Sequence, residues 1–231
     1  MRPEFLIGLD LGQRHDFTAL SVVERRDVAG GAEYDVVHLA RWRDVSYTAV
    51  PEAVRAVTRR IAEAEALSGA GWALRPPPAV SLVVDQTGVG VAVVDILRAA
   101  GLDPISVIIH GGDATVRASD REWRTPKREL AGVVQVLLQG RRLRIVERLP
   151  LAATLRAEME NFRAKIDLTT GHDSYAAGAD WRQGAHDDLV LSVALAAWYG
   201  ERPTPLARSY SYLPTDDDED DVPVPRWFGA G

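Results

Sequence analysis

The sequence contains no cysteine and only two lysines, Lys127 and Lys165, among its 231 residues. Without cysteine the chain can form neither disulfides nor thiolate metal sites, a composition that fits a reducing compartment. No G-x-S-x-G nucleophile motif is present, and no apolar run approaches the roughly 18 residues of a membrane span. We therefore expect a soluble, cytoplasmic protein whose chemistry depends on neither a thiol nor an activated serine.

Charge is distributed unevenly along the chain. Residues 216–221, DDDEDD, account for the whole net charge of -6, so the remainder is neutral. Residues 114–145 hold eight Arg or Lys and three acids; this excess is either a phosphate-binding surface or a solvated helix face. Residues 1–203 should form one domain, and residues 204–231, rich in Pro and Asp, an acidic disordered tail.

Hydrophobic periodicity predicts a mixed α/β sheet flanked by helices. Three strands joined by short turns should pair antiparallel, and later apolar strands alternate with helices, as parallel strands with crossover helices do. We expect Thr125 to cap one of these helices and Pro126 to open it. The predicted strands are 4–10, 17–25, 34–42, 81–85, 104–110 and 141–146; the helices are 50–68, 91–101, 125–140, 149–162 and 186–200; a polar loop spans 111–124 and a hairpin-like excursion 165–185.

Acidic residues stand where these elements end or begin. Asp10 closes the run FLIGLD, Asp85 closes SLVVD, and Asp187 and Asp188 open the last helix. Each could be an ordinary turn or cap residue. Together, two strand ends and a helix start can gather carboxylates around one point, where they cannot all stay ionised without cations between them. Hard oxygen ligands suit Mg²⁺ or Mn²⁺, so the pattern predicts a two-metal phosphodiester-cleaving site.

Further residues are weaker candidates for the same site. Asp187 and Asp188 differ by about 100° in direction on a helix, and periodicity does not decide which would face the metals. Asp16 and His186 are candidates for an outer shell, with a turn and a helix cap as the alternatives. Residues that could contact DNA are Lys127 and Arg128 at a helix start, Lys165, and His172 in the GHDSY loop.

Six segments together resemble the nuclease domain of phage and prophage terminase large subunits, over roughly residues 4–200. They are GLDLGQRHDFTALSVVE, VVDQTGVG, TPKRELAGVVQVLLQGRRLRI, EMENFRAKI, GHDSYAA and HDDLVLSVALAAW. The resemblance implies a ribonuclease H-like fold and a metal-dependent endonuclease that cuts concatemeric phage DNA during packaging. It assigns two ions to Asp10, Asp85 and one or both of Asp187 and Asp188. Double-stranded DNA would be the substrate, with a separate packaging ATPase, portal or small terminase subunit as possible partners.

Other functions share parts of this pattern. No G-x-x-x-x-G-K-[ST] loop is present, so motor activity is not expected of this chain, which would be an excised domain or a free-standing relative. The run GLDLG also matches the first phosphate loop of an actin or sugar-kinase type nucleotide-binding module. A Holliday-junction-resolvase-like or transposase-like nuclease would use the same metals, and a non-catalytic packaging protein could keep the fold.

Overall fold

A computed structural model describes residues 3–12, 16–67, 78–169 and 187–202, and the side chains of residues 163–169 lie outside that description. The acidic tail, His172 and His186 therefore also lie outside the described residues. Within the described ranges, no helix is long and apolar enough to cross a membrane.

Eight strands form one mixed sheet in the order β6-β7-β5-β4-β1-β2-β3-β8. β1, β2 and β3 pair antiparallel, whereas β4 lies parallel to β1, β5 to β4 and β7 to β5. This arrangement confirms the predicted mixed sheet. The strands are β1 (Glu4–Asp10), β2 (Phe17–Val28), β3 (Gly31–Arg43), β4 (Ala79–Asp85), β5 (Ile105–His110), β6 (Val116–Arg117), β7 (Glu122–Pro126) and β8 (Leu143–Ile145); the helices are α1 (Val50–Leu67), α2 (Val91–Ala99), α3 (Lys127–Gln139), α4 (Ala152–Thr169) and α5 (Asp188–Gly200).

Two separate apolar cores cover the two faces of the sheet. Alternate residues of the central strands point to opposite faces, so Leu9 of β1 joins the core beneath α1 and α2 while Leu6 joins the core beneath α3, α4 and α5. α5 is buried on nearly every side, which explains why its sequence is apolar almost all round. Asp10 lies on the same face of β1 as Leu6, and hence on the face that α5 covers.

The backbone of α5 lies directly on the backbone of β1. A Cβ atom at Gly8 would lie 1.8 Å from the carbonyl oxygen of Ser192, so only glycine permits this approach. Further along the helix, a Cβ at Gly200 would meet the side chain of Leu6. The two contacts show that α5 runs antiparallel to β1, with its N-terminus toward Asp10.

Three sequence-based expectations about local structure were wrong. The segment 111–124, predicted to be a loop, contains β6 and most of β7, because the open edge of β5 pairs with β7. Thr125 does not cap α3, since it lies within β7 and shares a hydrogen bond of 2.6 Å with the Thr115 hydroxyl. α4 continues to Thr169, so the backbone of Lys165 lies in a helix rather than in a hairpin.

We predict that Gly8→Ala destabilises the fold by about 1–3 kcal/mol or more, because the added methyl overpacks the contact between β1 and α5. Gly132→Ala is the matched control: it lies inside α3, its Cβ would meet nothing within 4 Å, and helix propensity favours Ala by about 1 kcal/mol. Urea unfolding of both variants checks this. Equal stabilities for wild type and Gly8→Ala would contradict the close approach of α5.

Candidate functional site

Asp10 and Asp85 lie side by side at the carboxyl ends of two neighbouring strands. Leu9 of β1 pairs with Val84 of parallel β4, so the following residue on each strand is an aspartate. Both aspartates lie on the face of the sheet that α5 covers, and Asp85 is 5% exposed. Parallel pairing therefore brings together the two carboxylates that the sequence placed at strand ends.

The close contact between β1 and α5 brings the second pair of acids to the same point. Asp10 lies two residues beyond Gly8, about 7 Å along the strand, and Asp188 lies four residues before Ser192, about 6 Å along the helix. Because the two elements run antiparallel, both steps lead in the same direction. Asp187, the residue before the helix, lies beside them.

The pKa of Asp10 is raised by burial and by the three neighbouring aspartates. Burial raises the pKa of Asp10 well above its usual range, and the carboxylates of Asp85, Asp188 and Asp187 raise it further, in that order of influence. The ammonium of Lys127 acts in the opposite direction. The other three aspartates named from the sequence therefore all act electrostatically on Asp10.

Two basic side chains hold the aspartates of α5. Arg41 Nη2 donates to Asp188 Oδ2 at 2.9 Å, and Lys127 Nζ donates to Asp187 Oδ2 at 3.0 Å. Lys127 also lies 5.3 Å from the centre of the Phe162 ring, and 34% of its side chain is exposed. Asp187 and Asp188 thus have different partners and point to different sides of the helix start.

Glu158 of α4 caps the N-terminus of α5. Its Oε2 accepts hydrogen bonds from the backbone N–H groups of Leu189 at 2.9 Å and Val190 at 3.2 Å. These donors belong to the first turn and have no partner within the helix, and the side chain of Asp187 makes no capping bond. Asp187 thus occupies the N-cap position, as the sequence-based alternative had it, but the side-chain hydrogen bonds to the first turn come from Glu158.

Glu158 also faces Arg41. Its Oε1 lies 3.3 Å from Arg41 Nη1, so one guanidinium reaches both Glu158 and Asp188. Burial raises the pKa of Glu158 to about 7 against the opposing effects of the Val190 N–H and Arg41, and Asp188 raises it as well. The guanidinium thus stands between two carboxylates that repel each other.

The turn after Asp85 fixes the end of β4. Asp85 Oδ1 accepts from the backbone N–H of Thr87 at 2.7 Å, and Thr87 Oγ1 accepts from the N–H of Ile109 at 2.7 Å. This turn ends at Gly90, the N-cap residue of α2, whose positive φ of 75° is a conformation that favours glycine. The TGVG segment is therefore a strand-to-helix turn that fixes Asp85.

The donor set fits a hard divalent cation in chemistry and charge. Four carboxylates supply oxygen ligands of the kind that Mg²⁺ and Mn²⁺ prefer, and their mutual repulsion would be relieved by a cation among them. Among the described residues, however, no three acidic or histidine side chains already form a metal-binding cluster. Arg41 and Lys127 meanwhile hold one oxygen each of Asp188 and Asp187.

The remaining predicted residues are placed less closely, or not at all. Asp16 lies just before β2, and the charges that dominate the pKa of Asp10 do not include it. Arg128 pairs with the exposed Asp113 at 2.7 Å. Lys165 has only its backbone described, and His172 and His186 lie outside the described residues.

Sequence reasoning missed Arg41 and Glu158. Arg41 reaches the site because Asp10 pairs with Ala19 on β2 and Ala19 pairs with Arg41 on β3, a register that one sequence does not show. Glu158 left a readable signal, since Leu155, Glu158 and Phe162 share the buried face of α4. A lone acid on such a face needs a specific partner.

We predict that Asp10→Asn raises the stability of the metal-free protein at pH 7 by about 1 kcal/mol or more. The raised pKa means that the folded state binds the proton more tightly than the unfolded state, so ionising Asp10 lowers stability as pH rises through the folded pKa. The advantage of Asn should therefore shrink as pH falls toward about 4. Thermal unfolding in chelator at both pH values checks this.

Asp95→Asn is the control for that measurement, since Asp95 lies on α2, largely exposed and paired only loosely with Arg98 at 3.6 Å. Its stability should follow that of wild type. An Asp10→Asn variant that unfolds would show that Asp10 has a structural role instead.

Several solved structures, among them two terminase nucleases, match this chain at 20% identity or less. The large terminase nuclease from thermophilic phage G20c is 20% identical, with a TM-score of 0.46 over 84% of this chain and 81% of that one. The human cytomegalovirus terminase nuclease domain, manganese-soaked and inhibitor-bound, is 9% identical, with a TM-score of 0.47 over 85% and 83%. Thermus thermophilus RuvC is 13% identical, with a TM-score of 0.33 over 84% and 91%.

A family model supplies the assignment. No curated protein matches the chain in a sequence comparison, whereas residues 7–197 match the model of the terminase RNaseH-like domain. That span begins in β1, ends in α5 and includes all four clustered aspartates. The chain belongs to the terminase RNaseH-like domain family.

Proposed function

We propose that this chain is a metal-dependent endonuclease that hydrolyses phosphodiester bonds of double-stranded DNA with two divalent cations. The observation that carries the proposal is the convergence of Asp10 and Asp85 at neighbouring strand ends with Asp187 and Asp188 at the start of α5. A DNA phosphate is itself negative and would be repelled by this cluster. Cations that neutralise the acids would also attract the phosphate, so the same cations would relieve the repulsion in the site and allow DNA to bind.

The chain's own residues would divide the work. Asp10 and Asp85, fixed by adjacent strands, would supply the central ligands, and Asp188 or Asp187 would complete the set. The position of Asp188 on the first turn of α5, four residues before the contact of Ser192 with Gly8, supports Asp188 as the direct ligand. When bound, Mg²⁺ or Mn²⁺ ions supply a water of lowered pKa and charge stabilisation for the leaving 3′ oxygen.

Lys127 suits a contact with the DNA backbone. Its ammonium lies beside the acids and is partly exposed, and Asp187 and the Phe162 ring orient it. A cation at the rim of an acidic site can meet a phosphate that the acids alone would repel. Arg128, also proposed to contact DNA, lies on the next position of α3 and is half exposed.

The family suggests the biological setting. We propose that residues 1–203 carry the nuclease and that residues 204–231 form an acidic tail. Cleavage of concatemeric phage DNA during packaging would require a motor, so a packaging ATPase, portal or small terminase subunit are the proposed partners. His172, His186, Lys165 and Asp16 remain proposed contributors from outside the central cluster.

We predict that the purified protein nicks and linearises supercoiled plasmid with Mn²⁺ or Mg²⁺ and stops when EDTA is added, with no effect of ATP. Asp10→Asn and Asp85→Asn should lower the rate by at least about 100-fold, because each removes a metal ligand. Asp95→Asn should cleave like wild type. Agarose gels of the time course give all the rates.

Cleavage that continues undiminished in EDTA would exclude the metal mechanism. Full activity in Asp10→Asn would exclude the assigned site while leaving open a nuclease site elsewhere in the chain.

We predict that DNA binding is salt-sensitive and independent of sequence, because the basic side chains would meet phosphates rather than bases. In an Asp10→Asn background, which prevents cleavage, Lys127→Ala with Arg128→Ala should weaken binding to all sequences alike. The salt slope should fall by about 0.9 for each phosphate that the variant no longer neutralises. Fluorescence anisotropy over a salt series measures both quantities.

The control is Arg59→Ala with Arg60→Ala, a pair of adjacent, exposed basic residues on α1, on the other face of the sheet. This variant should bind like its parent. A strong preference for one DNA sequence would contradict backbone-only binding and favour a site-specific resolvase.

A further inference from the structure

The helix that presents Asp188 is held at its first turn by a side chain from another helix. Glu158 Oε2 accepts from the N–H groups of both Leu189 and Val190, directly after Asp188. Glu158 is only 5% exposed, and burying a carboxylate is unfavourable unless it is paired. Its position therefore fixes where α5 begins.

The same carboxylate holds the base that orients Asp188. Arg41 Nη1 lies 3.3 Å from Glu158 Oε1 and Arg41 Nη2 lies 2.9 Å from Asp188 Oδ2. A planar guanidinium holds its two terminal nitrogens in a fixed geometry. Arg41 therefore fixes how the carboxylates of Glu158 and Asp188 are oriented relative to each other. Arg41 is itself constrained, since its guanidinium carbon lies 3.7 Å from the centre of the Phe17 ring.

Two buried atoms of this network, Arg41 Nε and Glu158 Oε1, have no hydrogen-bond partner among the described residues. Glu158 Oε1 keeps its ion-pair contact with Arg41 Nη1 at 3.3 Å. The Glu158 carboxylate is therefore held by the Arg41 guanidinium at one oxygen and by the first turn of α5 at the other.

We propose that Arg41 and Glu158 are positioning residues of the nuclease site, which together fix the start of α5 and direct Asp188 Oδ1 to a divalent cation. This inference rests on the proposed function. Arg41 occupies Oδ2, so the Asp188 carboxylate cannot turn freely. Glu158 acts only through Arg41 and the backbone of α5, and touches neither cation nor DNA.

Two conservative substitutions separate this role from simple packing. Glu158→Gln keeps an oxygen that can accept from Leu189 and Val190 but removes the charge that holds Arg41. Arg41→Lys keeps the positive charge but cannot donate along both arms of the fork. Charge near the cations is therefore unchanged in Arg41→Lys, and only the geometry differs.

The matched control is Glu201→Gln at the other end of α5. Glu201 Oε1 accepts from the Tyr34 hydroxyl at 2.7 Å and its carboxylate pairs with Arg142, so it too joins a helix end to a buried aromatic and an arginine. This control measures the effect of removing a carboxylate at an α5 terminus away from the aspartates.

The test measures two quantities for each variant: the Mn²⁺ concentration that gives half of the metal-induced rise in Tm, without DNA, and the concentration that gives half-maximal plasmid cleavage. Loss of a group that orients a metal ligand typically lowers metal affinity or activity by about 10–100-fold. We expect both midpoints to rise by about 10-fold in Glu158→Gln and Arg41→Lys. Glu201→Gln should keep the wild-type midpoints.

The two readouts separate the possible failures. Wild-type midpoints in both Glu158→Gln and Arg41→Lys would overturn the positioning role, and so would an equal rise in Glu201→Gln. If wild type responds to Mn²⁺ in Tm but does not cleave DNA, the proposed function fails while the Tm midpoints still test Arg41 and Glu158. If wild type shows no Mn²⁺ response in Tm, the positioning role fails as well.

Discussion

The direct contact between the backbones of α5 and β1 is the constraint on which the site depends. A side chain at Gly8 would separate the two elements, since its Cβ would overlap the carbonyl of Ser192. With that contact in place, the N-terminus of a helix that is apolar almost all round meets the carboxyl ends of β1 and β4. The acids at these two strand ends and this helix start are therefore brought close together, although Asp10 and Asp188 are far apart in the sequence.

This convergence makes the four carboxylates repel one another, and the neighbouring basic side chains offset that repulsion only in part. The charges of Asp85, Asp188 and Asp187 raise the pKa of Asp10, while Arg41 and Lys127 pair with Asp188 and Asp187. Lys127 also opposes the rise in the pKa of Asp10, but its effect is smaller than those of the three aspartates. We therefore expect the repulsion among the aspartates to destabilise the metal-free protein. Cations that bind only the folded state would offset that repulsion and stabilise the fold.

Sequence periodicity predicted the sheet and its acids but not the groups that orient them. The runs ending at Asp10 and Asp85 are short and apolar, so their strand character was readable, and SLVVD was typical of a parallel strand; their pairing with each other came from the structure. β6 and β7 were missed because VRASDREWRTP lacks apolar alternation, and pairing there follows from the open edge of β5. Arg41 depends on the register of three strands, which no local pattern encodes, whereas Glu158 could have been found as the charged residue on the buried face of α4.

The most direct test of the central claim is the anomalous diffraction of manganese in crystals grown or soaked with Mn²⁺. We predict anomalous peaks within about 2.0–2.6 Å of carboxylate oxygens, with Asp10 and Asp85 among the ligands and Asp188 completing the set while Arg41 still contacts its other oxygen. Manganese bound away from Asp10, or an Asp10 carboxylate that stays free of metal at saturating Mn²⁺, would contradict it.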